Sequence, residues 1–297
     1  MTQSALAAAR SAATRSAARR SRGDTIAGVR LTEGRPLDGR VVLVTGASRG
    51  IGAAIAVHFA RAGATVGVTA RTEHSPSAAS RLSGSLDETV ASIEELGGRA
   101  FAYPADLSKP TDRAALVEGV LGRLGRVDVL VNNAAVTFFE PVSRMAESRL
   151  ELMLEVQVRA PLDLARRVLP GMRGRRRGWI LNVSSLAARH PEGPPYPPWA
   201  AAGGLYGACK AALERFTTGL AAEMIDDNVA VNALSPAGVV PTPGAVLHGL
   251  VPSDPAGVES AETFAEAALA LCGGTPEFLT GHVTTSAAML RVLGLAE

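Results

Sequence analysis

Lysine is nearly missing from this chain: of its 30 Lys and Arg residues, all but Lys109 and Lys210 are arginine. Cysteine is as scarce. Cys209 and Cys272 are the two, too few for a disulfide framework and without the CxxC or Cys/His spacing of a metal site. No metal is expected, and a reducing compartment, the cytoplasm, is the simplest home. No uninterrupted apolar run approaches the ~18 residues that span a bilayer, so no membrane partner is expected. Net charge is only +2, and the basic excess is local: residues 1–22 hold five arginines and no acid. The remainder is close to neutral and offers nucleic acid no surface. The Ala-, Arg- and Ser-rich start reads as a mobile basic tail over residues 1–38. An organellar transit peptide at 1–22 is the competing reading. Export through the Arg19-Arg20 pair lacks the apolar stretch it needs.

What is present suffices for a large core: 297 residues, 47% apolar and 20% charged. From residue 41 the pattern alternates. Strands are expected at 41–45, 64–70, 100–105, 127–135, 178–185, 229–236 and 278–283. Helical spacing lies between them, at 50–63, 85–97, 110–124, 147–173, 205–226 and 259–271. Strands separated by such helices pair in parallel through right-handed crossovers. The expected fold is α/β: one Rossmann-type doubly wound parallel sheet, helices on both faces, over residues 39–297. Such sheets bind ligands beyond the carboxyl ends of their strands, and the chemistry-bearing motifs fall there.

TGASRGIG (45–52) follows the first strand and opens a helix. Glycines there let backbone amides approach a pyrophosphate, and the helix N-terminus favours its charge. The spacing of Gly46, Gly50 and Gly52 is TGxxxGxG; taken alone it also suits a plain tight turn. NNAA (132–135) closes the fourth strand, where asparagine is also an ordinary turn former. Ser184 and Ser185 end the fifth strand. Tyr206 and Lys210, in YGACK, lie one helical turn apart on one face; alone they read equally as a packed aromatic and a solvated charge.

Together, in this order, these motifs resemble the classical short-chain dehydrogenase/reductase superfamily over about residues 38–285. The polar loop after the second strand and the Pro-rich aromatic loop before Tyr206 are similar to its hydroxysteroid dehydrogenase-like branch. The resemblance implies that Tyr206 is the general acid/base and that Ser185, the second of the pair, polarises the substrate oxygen. Ser184 then points to the other face of the strand. It also implies that Lys210 lowers the tyrosine pKa and grips the cofactor ribose. An unperturbed tyrosine has pKa ~10. A cation ~4 Å away at effective dielectric ~20 is worth about 4 kcal/mol, some three pKa units. Lysine's compact ammonium suits that place better than arginine's planar fork.

By the same resemblance the cofactor is contacted by Gly46, Ser48, Arg49, Gly50, Ile51, Gly52, Arg71, Asp106, Leu107, Asn133 and Val239, with Tyr206 and Lys210. Enzymes that prefer the unphosphorylated cofactor place an acid at the end of the second strand. Ala70-Arg71 stands there instead, with Arg49 nearby, and two guanidiniums suit a 2′-phosphate. NADP(H) is therefore expected over NAD(H).

Several positions depart from the family pattern. Gln157 replaces the asparagine of the long helix, and SPAGVVPT (235–242) lengthens the usual turn by one residue. NNAA replaces NNAG. Ser185 and Tyr206 are spread by RHPEGPPYPPWAAAGG (189–204), with Tyr196, Trp199 and five prolines, read as a wall for a hydrophobic substrate. The expected function is an NAD(P)(H)-dependent oxidoreductase interconverting a secondary alcohol and a ketone on a hydrophobic small molecule. The alternatives are a cofactor-binding sensor or scaffold, which Gln157 permits, and a 3-oxoacyl-thioester reductase, which the arginines of 173–177 would suit, although that run reads more simply as capping the negative C-terminal end of the long helix. A homodimer or homotetramer is implied by the family.

Overall fold

The computed structural model describes residues 35–74 and 82–295. Seven strands form one sheet in the order β3-β2-β1-β4-β5-β6-β7, every neighbouring pair parallel. They are β1 Val41–Thr45, β2 Thr65–Thr69, β3 Arg99–Ala102, β4 Val129–Asn132, β5 Gly178–Val183, β6 Val229–Ser235 and β7 Val283–Thr285. β1, β4, β5 and β6 are buried along their whole lengths. That is why they read as continuous β-branched runs and not as alternating ones.

The helices are α1 Gly50–Arg61, α2 Leu86–Glu95, α3 Pro110–Leu124, α4 Glu147–Leu154, α5 Ala160–Gly174, α6 Pro198–Ala202, α7 Gly204–Met224, α8 Pro243–Leu247, α9 Ala261–Gly273 and α10 Ser286–Val292. One core lies under α1, α2, α9 and α10, around Ile55, Phe59, Ile93, Phe264, Leu271 and Leu290. The other lies under α3, α5 and α7, around Val120, Leu164, Met172, Leu220 and Met224. The sheet order reverses between β1 and β4, which opens the ligand crevice at their carboxyl ends.

The structure departs from the expected elements in four places. The helix expected at 147–173 is interrupted by a π-helical turn, Glu155–Arg159. Glu155 at its start pairs with buried Arg113 of α3 at 2.7 Å and with Arg159 at 3.2 Å, so a tertiary ion pair pins the extra residue. The last strand lies at Val283–Thr285, not at 278–283. Residues 275–279 instead make a turn, and Gly281 takes φ +78°, outside strand geometry. Side chains of β6 and of the turn hold this stretch: Asn232 Nδ2 donates to the Leu279 carbonyl, and Val231 N–H donates to Thr280 Oγ1. The short helices α6, α8 and α10 were not expected. Most of the segment read as a tail lies outside the described residues, but its end belongs to the fold. Leu37 is fully buried and its N–H donates to the Ala62 carbonyl at 2.9 Å.

Candidate active site

The TGASRGIG turn is built by close approach. Gly46 has φ +65°, and a Cβ on it would lie 2.8 Å from Ala134 Cα. A Cβ on Gly52 would lie 2.3 Å from the Gly46 carbonyl oxygen. Thr45 and Asn133 lace the ends of β1 and β4 together. The Asn133 and Ala134 N–H groups donate to Thr45 Oγ1, and Asn133 Nδ2 donates to the Thr45 and Gly46 carbonyls. Asn133, expected against the cofactor, thus spends its side chain shaping the glycine turn. Thr45 was missed by the sequence reading, although it opens the motif.

α1 has neither a capping side chain nor an acid in its first turn. Its leading amides, Gly50, Ile51 and Gly52 among them, are therefore free to meet an anion. This geometry fits a dinucleotide pyrophosphate. Ser48 is buried beside Arg49, whose guanidinium donates to Thr72 Oγ1 and the Gly84 carbonyl. Burial lowers the Arg49 pKa, Glu88 opposes this, and Arg71 lowers it further. Burial would raise the Asp106 carboxyl, but hydrogen bonds from Ser108 outweigh it, and Arg71 helps to hold it below the usual range. Arg49, Arg71 and Asp106 therefore face one region beyond β2 and β3. Leu107 is buried in the second core and its carbonyl accepts from Arg113 at 2.8 Å.

On the other side of the crevice, the strand-end alternation places the two serines oppositely. Ser184 Oγ donates to Glu214 Oε1 at 2.7 Å, while Ser185 accepts from Ala187 N–H at 3.2 Å and lies close enough to the Tyr206 hydroxyl to pull its pKa down. Lys210, 3% exposed, donates from Nζ to the Val183 carbonyl at 2.8 Å. Ser185, Tyr206 and Lys210 are thus brought together as expected, but the electrostatics differ from expectation. Burial pushes the Tyr206 hydroxyl above its ordinary value, with Ser185 pulling partly back. Burial also brings Lys210 down to about 8, against Cys209 and Glu214. The ammonium lies 5.7 Å from the Tyr206 ring centroid and turns toward β5. Lys210 is not among the groups that shift Tyr206 here, and desolvation of the hydroxyl acts in the direction opposite to the expected lowering.

Gln157 sits inside the π turn, 1% exposed, where Nε2 donates to the Val136 carbonyl at 2.9 Å. Its Oε1 is buried without a partner among the described residues. Val239 does not leave its backbone free: its N–H donates to Gly257 and its carbonyl accepts from Glu259. The ring against Tyr206 is Phe139, edge-on at 5.8 Å, and His248 packs edge-on to Phe139 at 5.3 Å. Neither was expected, although the Phe138-Phe139 pair stands visibly just past NNAA. Tyr196 and Trp199 are 63% and 53% exposed, and Tyr196 packs against Gly193.

The short chain dehydrogenase family profile matches residues 40–246. Hydroxynaphthalene reductase arp2 of Aspergillus fumigatus is 35% identical over 208 residues, 69% of this chain and 68% of that protein. Among solved structures, a metagenomic short-chain oxidoreductase in complex with NADP is 32% identical with TM-score 0.69, covering 84% of this chain and 97% of that one. The hydroxysteroid dehydrogenase of Escherichia coli is 29% identical with TM-score 0.69, covering 84% and 95%. On its fold, its strand-end Ser-Tyr-Lys cluster and these matches, the chain belongs to the short-chain dehydrogenase/reductase family of oxidoreductases.

Proposed function

We propose that the protein reduces a ketone on a hydrophobic small molecule, or oxidises the matching secondary alcohol, with NADP(H). The observation that carries this is the convergence of Ser185 and Tyr206 with buried Lys210, whose Nζ lies 5.7 Å from the Tyr206 ring centroid and donates to the Val183 carbonyl at the end of the strand that leads to Ser185. When bound, a nicotinamide cofactor supplies or accepts the hydride. A ketone oxygen placed between the two hydroxyls receives a hydrogen bond from Ser185, which polarises the carbonyl, and a proton from Tyr206 as negative charge develops. As a phenol Tyr206 serves as the acid in reduction, and in the reverse direction the same oxygen takes the proton from the alcohol. Lys210 presents a cation beside that proton transfer and, beyond the N–H held by the Val183 carbonyl, two donors for ribose hydroxyls.

NADP(H) over NAD(H) is supported by Arg49 and Arg71, which lie close enough to act on each other, and by Ala70-Arg71 standing just past β2 where an acid would favour the unphosphorylated cofactor. The NADP-bound relative agrees with it. An apolar substrate is supported by Phe139 against Tyr206 and by the exposed Leu186, Val246 and Leu247. A bicyclic aromatic substrate suits such apolar side chains, and the hydroxynaphthalene reductase relative is named for a bicyclic aromatic. The thioester alternative loses its basis. Arg173, Arg175 and Arg176 pair with Asp227 and with the Val127 and Asp226 carbonyls, and they precede β5, about 20 Å of strand from Ser185. The sensor alternative rests on Gln157 alone. We also propose a homodimer or homotetramer, consistent with Val142 and Leu154 exposed on and before α4.

The test is a panel of aromatic and aliphatic ketones, followed by nicotinamide absorbance with NADPH and NADH in parallel. NADPH-dependent turnover of bicyclic ketones is expected. Cofactor binding without turnover of any carbonyl would favour the sensor reading, and equal affinity for the two cofactors would remove the phosphate argument.

A further inference from the structure

The turn after β6 carries one residue more than the compact family form, and an added residue brings an added amide that needs an acceptor. Here the Ala237 N–H donates to Glu259 Oε2 at 2.6 Å and to Ser286 Oγ at 3.1 Å, and the Gly238 N–H reaches the same carboxylate oxygen at 3.3 Å. The main chain of 257–259 closes the other side. Val239 N–H donates to the Gly257 carbonyl at 2.7 Å and Glu259 N–H donates to the Val239 carbonyl at 3.1 Å. Val239 and Val258 form a parallel bridge, and a Cβ on Gly238 would lie 2.8 Å from the Gly257 carbonyl oxygen. Glu259 itself is buried, and its Oε1 has no partner among the described residues. A carboxylate is costly in such surroundings, so its hold on the two amides is the feature that accounts for it. The turn leads directly to Thr242, whose Cγ2 would lie 2.8 Å from a Cβ on Gly50. Where the turn sits therefore decides how Thr242 closes over the glycine motif.

We propose that Glu259 is a positioning residue for the cofactor cleft: its carboxylate anchors the lengthened 237–239 turn and so fixes Thr242 across the glycine motif. This rests on the reading of the chain as a nicotinamide-dependent oxidoreductase. Glu259 has no contact with Tyr206 or Ser185 among the described residues, so its influence falls on cofactor binding and not on the proton transfer.

The test is a titration of the full chain with NADPH, read by nicotinamide fluorescence. It compares the unmutated protein with Glu259→Gln, Glu259→Leu, and Glu259→Leu combined with removal of Ala237. Glutamine keeps an oxygen acceptor at the same reach, whereas leucine fills the space without one. Glu259→Leu should weaken NADPH binding about tenfold or more, while Glu259→Gln should stay within about threefold. Removing Ala237 from the leucine variant takes away the amide that bonds the carboxylate at 2.6 Å and leaves only the long 3.3 Å bond of Gly238 without its acceptor, so most of the affinity should return. With saturating NADPH, kcat of Glu259→Leu should remain within about threefold of the unmutated value. Unchanged NADPH affinity in Glu259→Leu, or a Gln variant as weak as the Leu variant, would overturn the assignment. Should Glu259→Leu alone fail to fold, the combined variant decides: recovered affinity supports the anchor, and a folded but weak binder overturns it. An unmutated chain that binds no nicotinamide dinucleotide removes the underlying reading instead, a result distinct from all of these.

Discussion

Lys210 shows at residue scale why this chain, so poor in lysine, has one at that position. Its Nζ is buried against the Val183 carbonyl one helical turn from Tyr206, a slot suited to a compact ammonium and not to a planar fork. Lys210→Arg should keep the charge yet lower kcat about 10²-fold or more, the scale of a general acid/base contribution, and weaken cofactor binding. Near-normal rates in that variant would mean that charge alone suffices. Tyr206→Phe should abolish turnover and leave NADPH affinity almost unchanged, since it removes one hydroxyl from the chemistry. The pH profile of reduction follows from the direction of the shifts. Burial favours neutral lysine, so Lys210 loses its proton as pH rises through about 8, earlier than an exposed lysine would. Reductase activity should therefore fall above about pH 8 while Tyr206, raised by burial, is still a competent acid. A rate flat from pH 7 to 10 would contradict this. Ser185, Tyr206 and Lys210 were picked out by the family resemblance that their motifs carry together, and strand alternation and the i,i+4 helical repeat, being local rules, added only which faces they occupy. The direction of the Tyr206 shift was not legible, because burial depends on elements distant in sequence, as does the arrival of His248 against Phe139.

At the scale of elements, the glycine motif and β1 were legible together, since a β-branched run, TGxxxGxG and a helical repeat agree at one junction. The π turn was not. Residues 147–173 repeat with helical spacing through Pro161, which opens α5 just past the turn, and the extra residue is held by Arg113, which arrives from α3 to meet Glu155 at 2.7 Å. No periodicity within α4 and α5 records that partner. β7 was misplaced for a related reason: FLTGHV has strand-like residues, but the Leu279 carbonyl accepts from Asn232 Nδ2 and the Gly281 N–H donates to the Val231 carbonyl, so β6 claims its backbone before the strand begins. The motif itself is tightly constrained. A Cβ on Gly52 would meet the Gly46 carbonyl oxygen at 2.3 Å and Asn133 Nδ2 at 2.4 Å, and the oxygen, being backbone, cannot swing aside. Gly52→Ala should therefore destabilise by about 1–3 kcal/mol, the usual cost of overpacking, and raise the Kd for NADPH. A control at Gly122, where an added Cβ meets nothing within 4 Å, should leave binding unchanged. Equal effects of the two substitutions on NADPH affinity would show that the turn tolerates side chains.

At the scale of the whole molecule, the question is where the fold begins. Composition alone drew that boundary at residue 38, because the Arg- and Ala-rich start has no helical or strand period. A single buried side chain moves it. Leu37 is fully buried within the core under α1 and α9, its N–H donates to the Ala62 carbonyl just past α1, and Pro36 lies against Gly273 at the end of α9. Arg40 continues the same seam, donating to the Cys272 carbonyl at 2.7 Å and lying 4.0 Å from the Trp179 ring centroid. The segment from 36 to 40 thus joins the ends of two helices that are far apart in sequence, which no window-based reading of residues 1–38 could register. Two truncations separate the boundaries. A chain starting at residue 35 keeps every one of these contacts and should melt close to the full chain. One starting at residue 39 loses the Leu37 side chain and its backbone bond, a loss of about 2–5 kcal/mol by comparison with large-to-small core substitutions, or on the order of 10 °C in Tm for a domain of this size. Leu37→Ala in the full chain should reproduce most of that drop without shortening anything. If both truncations and the alanine variant melt together with the full chain, Leu37 lies against the core without stabilising it, and the boundary at residue 38 stands.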